Sequence, residues 1–376
     1  MQRHSVNGLK AAYPDPEMVA EAVLAHLTSR QGLRPRSLVL AQLPRLMHKP
    51  WSTLYFLTVS EGGERRQVVA KIVHFPDQAT PEVSWQSEEL LIRGQREFDT
   101  LTSVYRHFAR QPDRSLAALY PLAYLPEINA IVTDFVAGRP LYDACLAMRH
   151  LLSPGGRQRA RHMMWQAGEW LQWFHRMPVQ DAPAERSFGP PHIFQALLQE
   201  VEQLCTLGVD LGSWPLWERT LAVLSQVTDS ERVWTHGDFH LRNVLVLSQG
   251  GVLGFDTALE RADSPYFDLG KFLADLKTRR ATLLRLGLLP PPGLIQSLTQ
   301  AFLSGYLGES PKPCAALALY EGFFIVQKWV ESLTLVRDTL TRHADLLGAG
   351  VRGGIINPAF YRIVGRWIKS VNIAVS

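Results

Sequence analysis

The sequence predicts an α+β protein built from two dissimilar parts. Three observations support this: strand-like segments and one long helix fill the chain up to residue 136, helical periodicity dominates afterwards, and a short β island interrupts the helical part. Separate runs of strands and helices are typical of α+β folds. We expect a small antiparallel-sheet N-lobe at 33–136 and a larger, mainly helical C-lobe at 137–376, preceded by a helical extension at 1–32.

The first part begins with a helix and continues with strands. Asp15-Pro16-Glu17 is a typical helix start, and apolar residues follow it at helical spacing up to Gly32. Segments rich in Val, Leu, Tyr and Phe then predict strands, with a hairpin turn at 61–64. The predicted strands are 37–43, 53–59, 67–75, 119–125 and 130–136, and the long helix is 85–108.

The second part is helical apart from the β island. Apolar periodicity predicts a helix at 156–177, a proline-rich loop at 178–191 and further helices from residue 194. We interpret His175, near the end of the first of these helices, as a packing residue. The predicted strands of the island are 232–235, 244–247 and 252–255.

Composition excludes several classes of protein. Of the 376 residues, 46% are apolar and 20% are charged, which excludes a disordered chain. A net charge of +4 and the lack of a recognised motif give no support to nucleic-acid binding. Cys145, Cys205 and Cys314 form no CxxC pair, so we expect neither a disulfide framework nor a zinc site. With no signal-like or spanning segment in view, we expect a soluble, cytoplasmic protein.

The β island carries the residues that indicate chemistry. Its loop reads T-H-G-D-F-H-L-R-N at 235–243, and G-F-D follows at 254–256. Protein kinases use H-R-D-L-x-x-x-N and D-F-G, in which the first Asp is the base and the Asn and second Asp bind magnesium. Asp238, Asn243 and Asp256 fall at the corresponding positions.

The chemistry of phosphoryl transfer suits these residue types. Transfer from ATP requires positioning and charge neutralisation more than covalent help. Mg²⁺ prefers oxygen ligands and retains several waters, so Asn243 and Asp256 are adequate protein ligands. Asp238 is then available to accept the proton of an acceptor hydroxyl. The alternative is that these polar groups only cap and tie a loop, and for His236 and His240 we favour loop-bracing hydrogen bonds over proton transfer.

The H-G-D-x-H-x-x-N spelling resembles the aminoglycoside phosphotransferase and choline kinase family. The likeness extends to D-S-P-Y-F-D-L at 263–269 and covers roughly 38–335 of the chain. It implies a bilobal, protein-kinase-like fold and transfer of the ATP γ-phosphate to a small-molecule hydroxyl, with ATP and Mg²⁺ as cofactors. It also implies that Asp268 is a buried residue that braces the catalytic loop.

The resemblance implies that the N-lobe holds the nucleotide. Lys71, in V-V-A-K at 68–71, matches the strand lysine of V-A-I-K that contacts the α- and β-phosphates. Its expected partner is a glutamate on the long helix. We choose Glu97, and Glu88 and Glu89 remain alternatives.

Two further nucleotide contacts follow from the same resemblance. The glycine-rich loop of protein kinases is absent, and we expect Ser52 and Thr53 to offer backbone N–H or hydroxyl groups to the phosphates. The backbone from Asp134 to Val136 is expected to pair with adenine. An ordinary buried strand is the alternative interpretation of that second segment.

The acceptor is left open by the sequence. The segments 178–230 and 285–345 contain no acidic run, which favours a neutral or anionic acceptor over a polycation. A basic cluster is formed by Lys277, Arg279, Arg280 and Arg285. The C-terminal segment reads as a basic amphipathic helix, which either packs on the C-lobe or makes peripheral membrane contact.

The sequence therefore predicts an ATP- and magnesium-dependent phosphotransferase acting on a sugar, glycan intermediate or amino alcohol. Two alternatives stay open. One is an antibiotic-modifying kinase with the same parts, and the other is a non-catalytic nucleotide-binding protein with a kinase-like fold.

Overall fold

The structure is a computed structural model. It describes residues 14–30, 38–49, 51–61, 64–74, 87–111, 115–146, 153–179, 189–228, 231–257, 262–283, 293–308, 314–342 and 346–373. In chain order the elements are α1 (Pro16–Arg30), β1 (Leu38–Lys49), β2 (Ser52–Glu61), β3 (Glu64–Val73), α2 (Glu88–Phe108), β4 (Leu116–Ala117), β5 (Pro121–Leu125), β6 (Ala130–Asp134), β7 (Gly138–Pro140), α3 (Leu141–Leu146), α4 (Pro154–His175), α5 (Pro190–Thr206), α6 (Trp217–Leu224), β8 (Val233–Trp234), β9 (Val244–Leu247), β10 (Val252–Gly254), β11 (Ala262–Asp263), α7 (Tyr266–Leu283), α8 (Leu294–Leu307), α9 (Ala315–Arg342) and α10 (Leu346–Ile373). The predicted α+β class is confirmed.

The first compact unit comprises the described residues up to Gln111 and from Ala118 to Ala137. Its antiparallel sheet has the order β1-β2-β3-β6-β5. Apolar side chains alternate along β2 and β3, so one face of the sheet is buried against α1. This core contains Val19, Val23, Leu27, Tyr55, Leu57, Val68, Ala70 and Ile72. The N-terminal helix is therefore part of the hydrophobic core of this unit.

The first strand is longer than its predicted range of 37–43, because β1 continues to Lys49 and pairs with the start of β2 at Ser52. Pro44 interrupts the sequence pattern because it has no N–H to donate. The strand tolerates it because β1 lies at the edge of the sheet and its register shifts on both sides of Gln42. The predicted turn at Gly62-Gly63 lies outside the described residues.

The second compact unit comprises residues 115–117 and the described residues from Gly138 onward. A four-stranded sheet of order β4-β10-β9-β7 and a two-stranded sheet of β11 and β8 confirm the β island. One large apolar core joins α5, α6, α7, α9 and α10. A second group of aromatic rings packs directly behind the 235–243 loop: Trp170, Phe174, Phe239, Phe272 and Phe302.

The C-terminal helix α10 packs on the second unit. Its apolar side chains Phe360, Val364, Trp367, Ile368 and Val371 are all buried in the large core. The structure thus favours packing over membrane contact, because this face of the helix is already covered. Within the described ranges, every helix is too short or too polar to cross a lipid bilayer.

The predicted basic cluster is only partly described. Lys277, on α7, forms an ion pair with the buried Glu321 of α9. The side chains of Arg279, Arg280 and Arg285 lie outside the described residues.

Candidate active site

The loop at 235–243 is held from behind by a buried carboxylate. Asp268, in the first turn of α7, accepts hydrogen bonds from the backbone N–H of His236 at 2.6 Å and of Gly237 at 2.9 Å. Gly237 adopts a φ of 78°, a conformation that favours glycine. Asp268 is fully buried, and its charge also lies at the N-terminal end of a helix, where the helix dipole stabilises an anion.

The charge of Asp268 is compensated by a histidine on α4. His175 Nε2 lies 3.0 Å from Asp268 Oδ2, and His175 Nδ1 lies 2.7 Å from the Tyr306 hydroxyl. Burial alone raises the pKa of Asp268, but the hydrogen bond and charge of His175, together with His236, outweigh it and lower the pKa. Our interpretation of His175 as only a packing residue is therefore incomplete, because it is a hydrogen-bonding partner of the loop's anchor.

His236 braces the loop by packing and not by ring hydrogen bonds. Its ring is buried against Trp170, Phe174 and Phe239, with centroids 5.3–6.0 Å apart. Neither ring nitrogen has a hydrogen-bond partner among the described residues. Burial lowers its pKa to about 4, so the ring is neutral near pH 7. The expectation of loop-bracing hydrogen bonds from this ring is wrong, because aromatic rings surround it.

Asp238 is the one carboxylate of this loop, and half of its side chain is exposed. Its carboxylate is 2.8 Å from Lys271 Nζ and 3.4 Å from His240 Nε2. The Nδ1 atom of His240 accepts the backbone N–H of Arg242, so Nε2 carries the proton and donates towards Asp238. Burial raises the pKa of Asp238, but His240 and Lys271 outweigh it and lower the pKa well below its usual range. Asp238 is therefore ionised.

Asn243 and Asp256 are brought together by β9 and β10. Val244 pairs with Gly254, and the N–H of Phe255 donates to the Asn243 carbonyl at 3.0 Å. The Asn243 amide nitrogen donates to Asp238 Oδ2 at 2.9 Å, which turns its amide oxygen the other way. Asp256 has a φ of 61°, a left-handed conformation that non-glycine residues rarely adopt and that is concentrated at functional sites.

This donor set fits magnesium. An amide oxygen and a carboxylate are hard ligands, and Mg²⁺ completes its coordination with waters and phosphate oxygens. Among the described residues there is no cluster of three or more His, Cys, Asp or Glu side chains that would hold a metal by itself.

In the first unit, Lys71 and Glu97 form an ion pair with Nζ and Oε1 2.6 Å apart. Lys71 lies on β3 opposite Leu54 of β2 and Ile131 of β6, on the face of the sheet that α1 does not cover. Both side chains are about a fifth exposed. The predicted partner is present, and the role of the pair in phosphate binding stays a prediction.

Ser52 and Thr53 are both buried at the start of β2. The Thr53 hydroxyl lies 3.1 Å from His48 Nδ1 and 3.3 Å from His74 Nε2, so it is engaged inside the protein. The Thr53 hydroxyl points between two histidines, and the Thr53 backbone lies between β1 and β3 in the sheet. The phosphate contacts of Ser52 and Thr53 stay a prediction.

The proposed adenine-pairing backbone is partly used within the sheet. The N–H groups of Asp134 and Phe135 donate to the carbonyls of Tyr120 and Gln67. The Asp134 carboxylate pairs with Arg66 at 2.8 Å. Within this segment, the Asp134 carbonyl and the Val136 backbone remain the groups that are predicted to pair with adenine.

Sequence reasoning missed Lys271 and Tyr306. Neither belongs to the H-G-D or G-F-D motif. Lys271 contacts the loop from α7, and Tyr306 on α8 contacts His175, the partner of the loop's anchor. The sequence offers one indication of Lys271: it is a charged residue shortly after the D-S-P-Y-F-D segment, in the helix that this segment begins.

Residues 52–290 match the model of the APH family, described as a phosphotransferase enzyme family, and the chain belongs to that family. No curated protein matches the chain.

Solved structures with a similar fold include three phosphotransferases. The macrolide 2'-phosphotransferase MphH from Brachybacterium faecium is 17% identical, with 90% of this chain and 97% of that chain covered and a TM-score of 0.46. The aminoglycoside phosphotransferase APH(4)-Ia, in a ternary complex with AMP-PNP and hygromycin B, is 14% identical, with 90% and 98% covered and a TM-score of 0.47. The ethanolamine kinase of Plasmodium vivax is 10% identical, with 93% and 90% covered and a TM-score of 0.46.

Proposed function

We propose that the protein is an ATP- and magnesium-dependent kinase of small hydroxylated molecules. The observation that carries this proposal is the ionised, half-exposed Asp238 beside Asn243 and Asp256, on a loop whose backbone is anchored to buried Asp268. Family membership supports phosphotransfer.

Asp238 is the proposed general base. It accepts the proton of the acceptor hydroxyl while that oxygen forms a bond to the γ-phosphorus. The bond between the γ-phosphorus and the bridging oxygen of ATP breaks, ADP leaves with that electron pair, and the proton passes from Asp238 to solvent. A positioned base of this kind contributes about 10²- to 10⁴-fold.

The remaining residues bind and orient the nucleotide. Asn243 and Asp256 would hold Mg²⁺, which neutralises phosphate charge when bound. Lys71, oriented by Glu97, would contact the α- and β-phosphates. The Asp134 carbonyl and the Val136 backbone would pair with adenine, and the turn that leads into Ser52 and Thr53 would lie beside the phosphates.

The test measures ADP release from MgATP with a panel of sugars, amino alcohols and aminoglycosides. We expect one acceptor class to stimulate release and Asp238→Ala to remove that stimulation, whereas Glu17→Gln, at an exposed carboxylate on α1, leaves it unchanged. A normal turnover number in Asp238→Ala would contradict the proposal.

A further inference from the structure

A lysine that no kinase motif contains touches the proposed base. Lys271 Nζ donates to Asp238 Oδ1 at 2.8 Å and to the Gly237 carbonyl at 2.8 Å. It also lies 5.8 Å from the centroid of the Phe324 ring on α9. An ammonium group has three N–H donors. Among the described residues, hydrogen bonds to Asp238 and Gly237 use two of them.

The position of Lys271 is built into α7. Asp268, Lys271 and Asp275 lie at helical spacing on one face of this helix, and all three contact the 236–241 segment. Asp268 receives the N–H groups of His236 and Gly237, and buried Asp275 receives the N–H of Leu241 at 3.4 Å. Lys271 therefore lies on α7 between two residues that accept hydrogen bonds from the loop backbone.

The charges around Lys271 disfavour a cationic ligand. Asp238 is paired with Lys271 itself, Asp268 with His175, and Asp275 with Lys328 at 3.3 Å. Asp268 and Asp275 on α7, and Asp238 itself, thus each already have a positively charged or N–H partner. An amine placed beside Asp238 would meet the Lys271 ammonium at close range, where like charges repel.

We propose that Lys271 is a specificity-determining residue of the acceptor site. Its third N–H donates to an oxygen next to the hydroxyl that is phosphorylated, and its charge selects neutral or anionic polyols over amines. This inference rests on the proposed kinase function and names the acceptor class for it.

The experiment scores ADP release from MgATP with neutral acceptors (glucose, N-acetylglucosamine, glycerol), anionic acceptors (glucuronate, glycerol 3-phosphate) and cationic acceptors (glucosamine, ethanolamine, kanamycin). We expect the fastest acceptor to be neutral or anionic. A cationic acceptor as the fastest would overturn the proposal.

Variants of Lys271 sharpen the test. Lys271→Met should raise the acceptor KM about tenfold or more, because a hydrogen bond from a charged donor is lost. Lys271→Arg should retain part of the preference, and Lys271→Glu should shift the glucose-to-glucosamine ratio towards the amine. The control is Lys369→Met, which removes an exposed lysine of α10.

A purely structural role for Lys271 predicts another pattern. Loss of loop geometry would lower kcat for all acceptors alike and leave their ranking unchanged, and that result would overturn the proposal. If MgATP raises the melting temperature but no panel member is phosphorylated, the acceptor class is wrong and nucleotide binding still stands. If MgATP has no effect on the melting temperature, the proposed function itself fails.

Discussion

The two units present their charged residues in different ways. In the first unit, Lys71 and Glu97 project from a regular strand and a regular helix, and each is about a fifth exposed. In the second unit, Asp238 lies on an irregular loop whose backbone N–H groups are received by Asp268 and Asp275, both of which are buried.

This difference follows from which groups serve as the partners of the backbone N–H and C=O groups. A helix satisfies its backbone N–H and C=O groups internally and a strand does so with its neighbouring strands, so the side chains that they carry can be changed at little cost to folding. A buried loop needs acceptors from elsewhere, and here they are the buried carboxylates of Asp268 and Asp275. We therefore expect substitutions behind the loop to reduce stability and activity together, and substitutions of Lys71 or Glu97 to affect nucleotide binding alone.

The largest effect is expected for Asp268→Asn. The amide would place an NH₂ group against backbone N–H donors and leave His175 without its anion, so we expect a loss of about 3–5 kcal/mol in the free energy of unfolding. Urea denaturation measures it. Glu97→Gln is the control in the first unit and should cost less than about 1 kcal/mol, because its ion pair is partly exposed. Equal costs for the two variants would contradict the comparison.

A smaller effect is expected for Gly254→Ala. A Cβ at this position would lie 2.5 Å from the Trp170 ring, so β10 would have to move away from α4 and carry Asp256 with it. Overpacking of this kind costs about 1–3 kcal/mol. The matched change Gly155→Ala, where the nearest neighbour is 3.7 Å away, should not destabilise the protein. Denaturation curves that show no difference between these two variants would refute the tight packing.

The smallest effect concerns pH and His236. Because burial lowers its pKa from 6.5 to about 4, the unfolded chain binds a proton at a higher pH than the folded protein does. Stability should therefore fall as the pH drops below about 6.5, and this residue should account for a loss on the order of 2 kcal/mol by about pH 5. His236→Phe should retain the fold near pH 7 and show a shallower decline below pH 6.5 in thermal unfolding. The exposed His192→Asn is the control and should leave the slope unchanged.

The sequence was most informative where chemistry depends on residues close together in the chain. Asp238, Asn243 and Asp256 lie within one strand–loop–strand unit, so their spacing alone indicated that they would be neighbours. The partner of Lys71 was found because a strand lysine and a helix glutamate are a recurring pair.

Side-chain contacts that depend on tertiary packing could not be predicted from the sequence in the same way. Lys271 reaches Gly237 across the packing of α7 on the loop, and His175 meets Asp268 from α4. The Thr53 hydroxyl is turned away from solvent by His48 and His74, one of which lies on a neighbouring strand. No local pattern predicts such contacts, because they depend on how distant elements pack.

The most direct test of the account is calorimetric titration of MgATP into the wild type, Asp238→Ala and Asp256→Ala, with ADP release measured on the same samples. We predict that Asp238→Ala binds MgATP like the wild type but loses about 10²-fold or more in turnover, and that Asp256→Ala loses both. Undiminished MgATP binding by Asp256→Ala, or undiminished turnover by Asp238→Ala, would contradict the assignment of metal ligand and base.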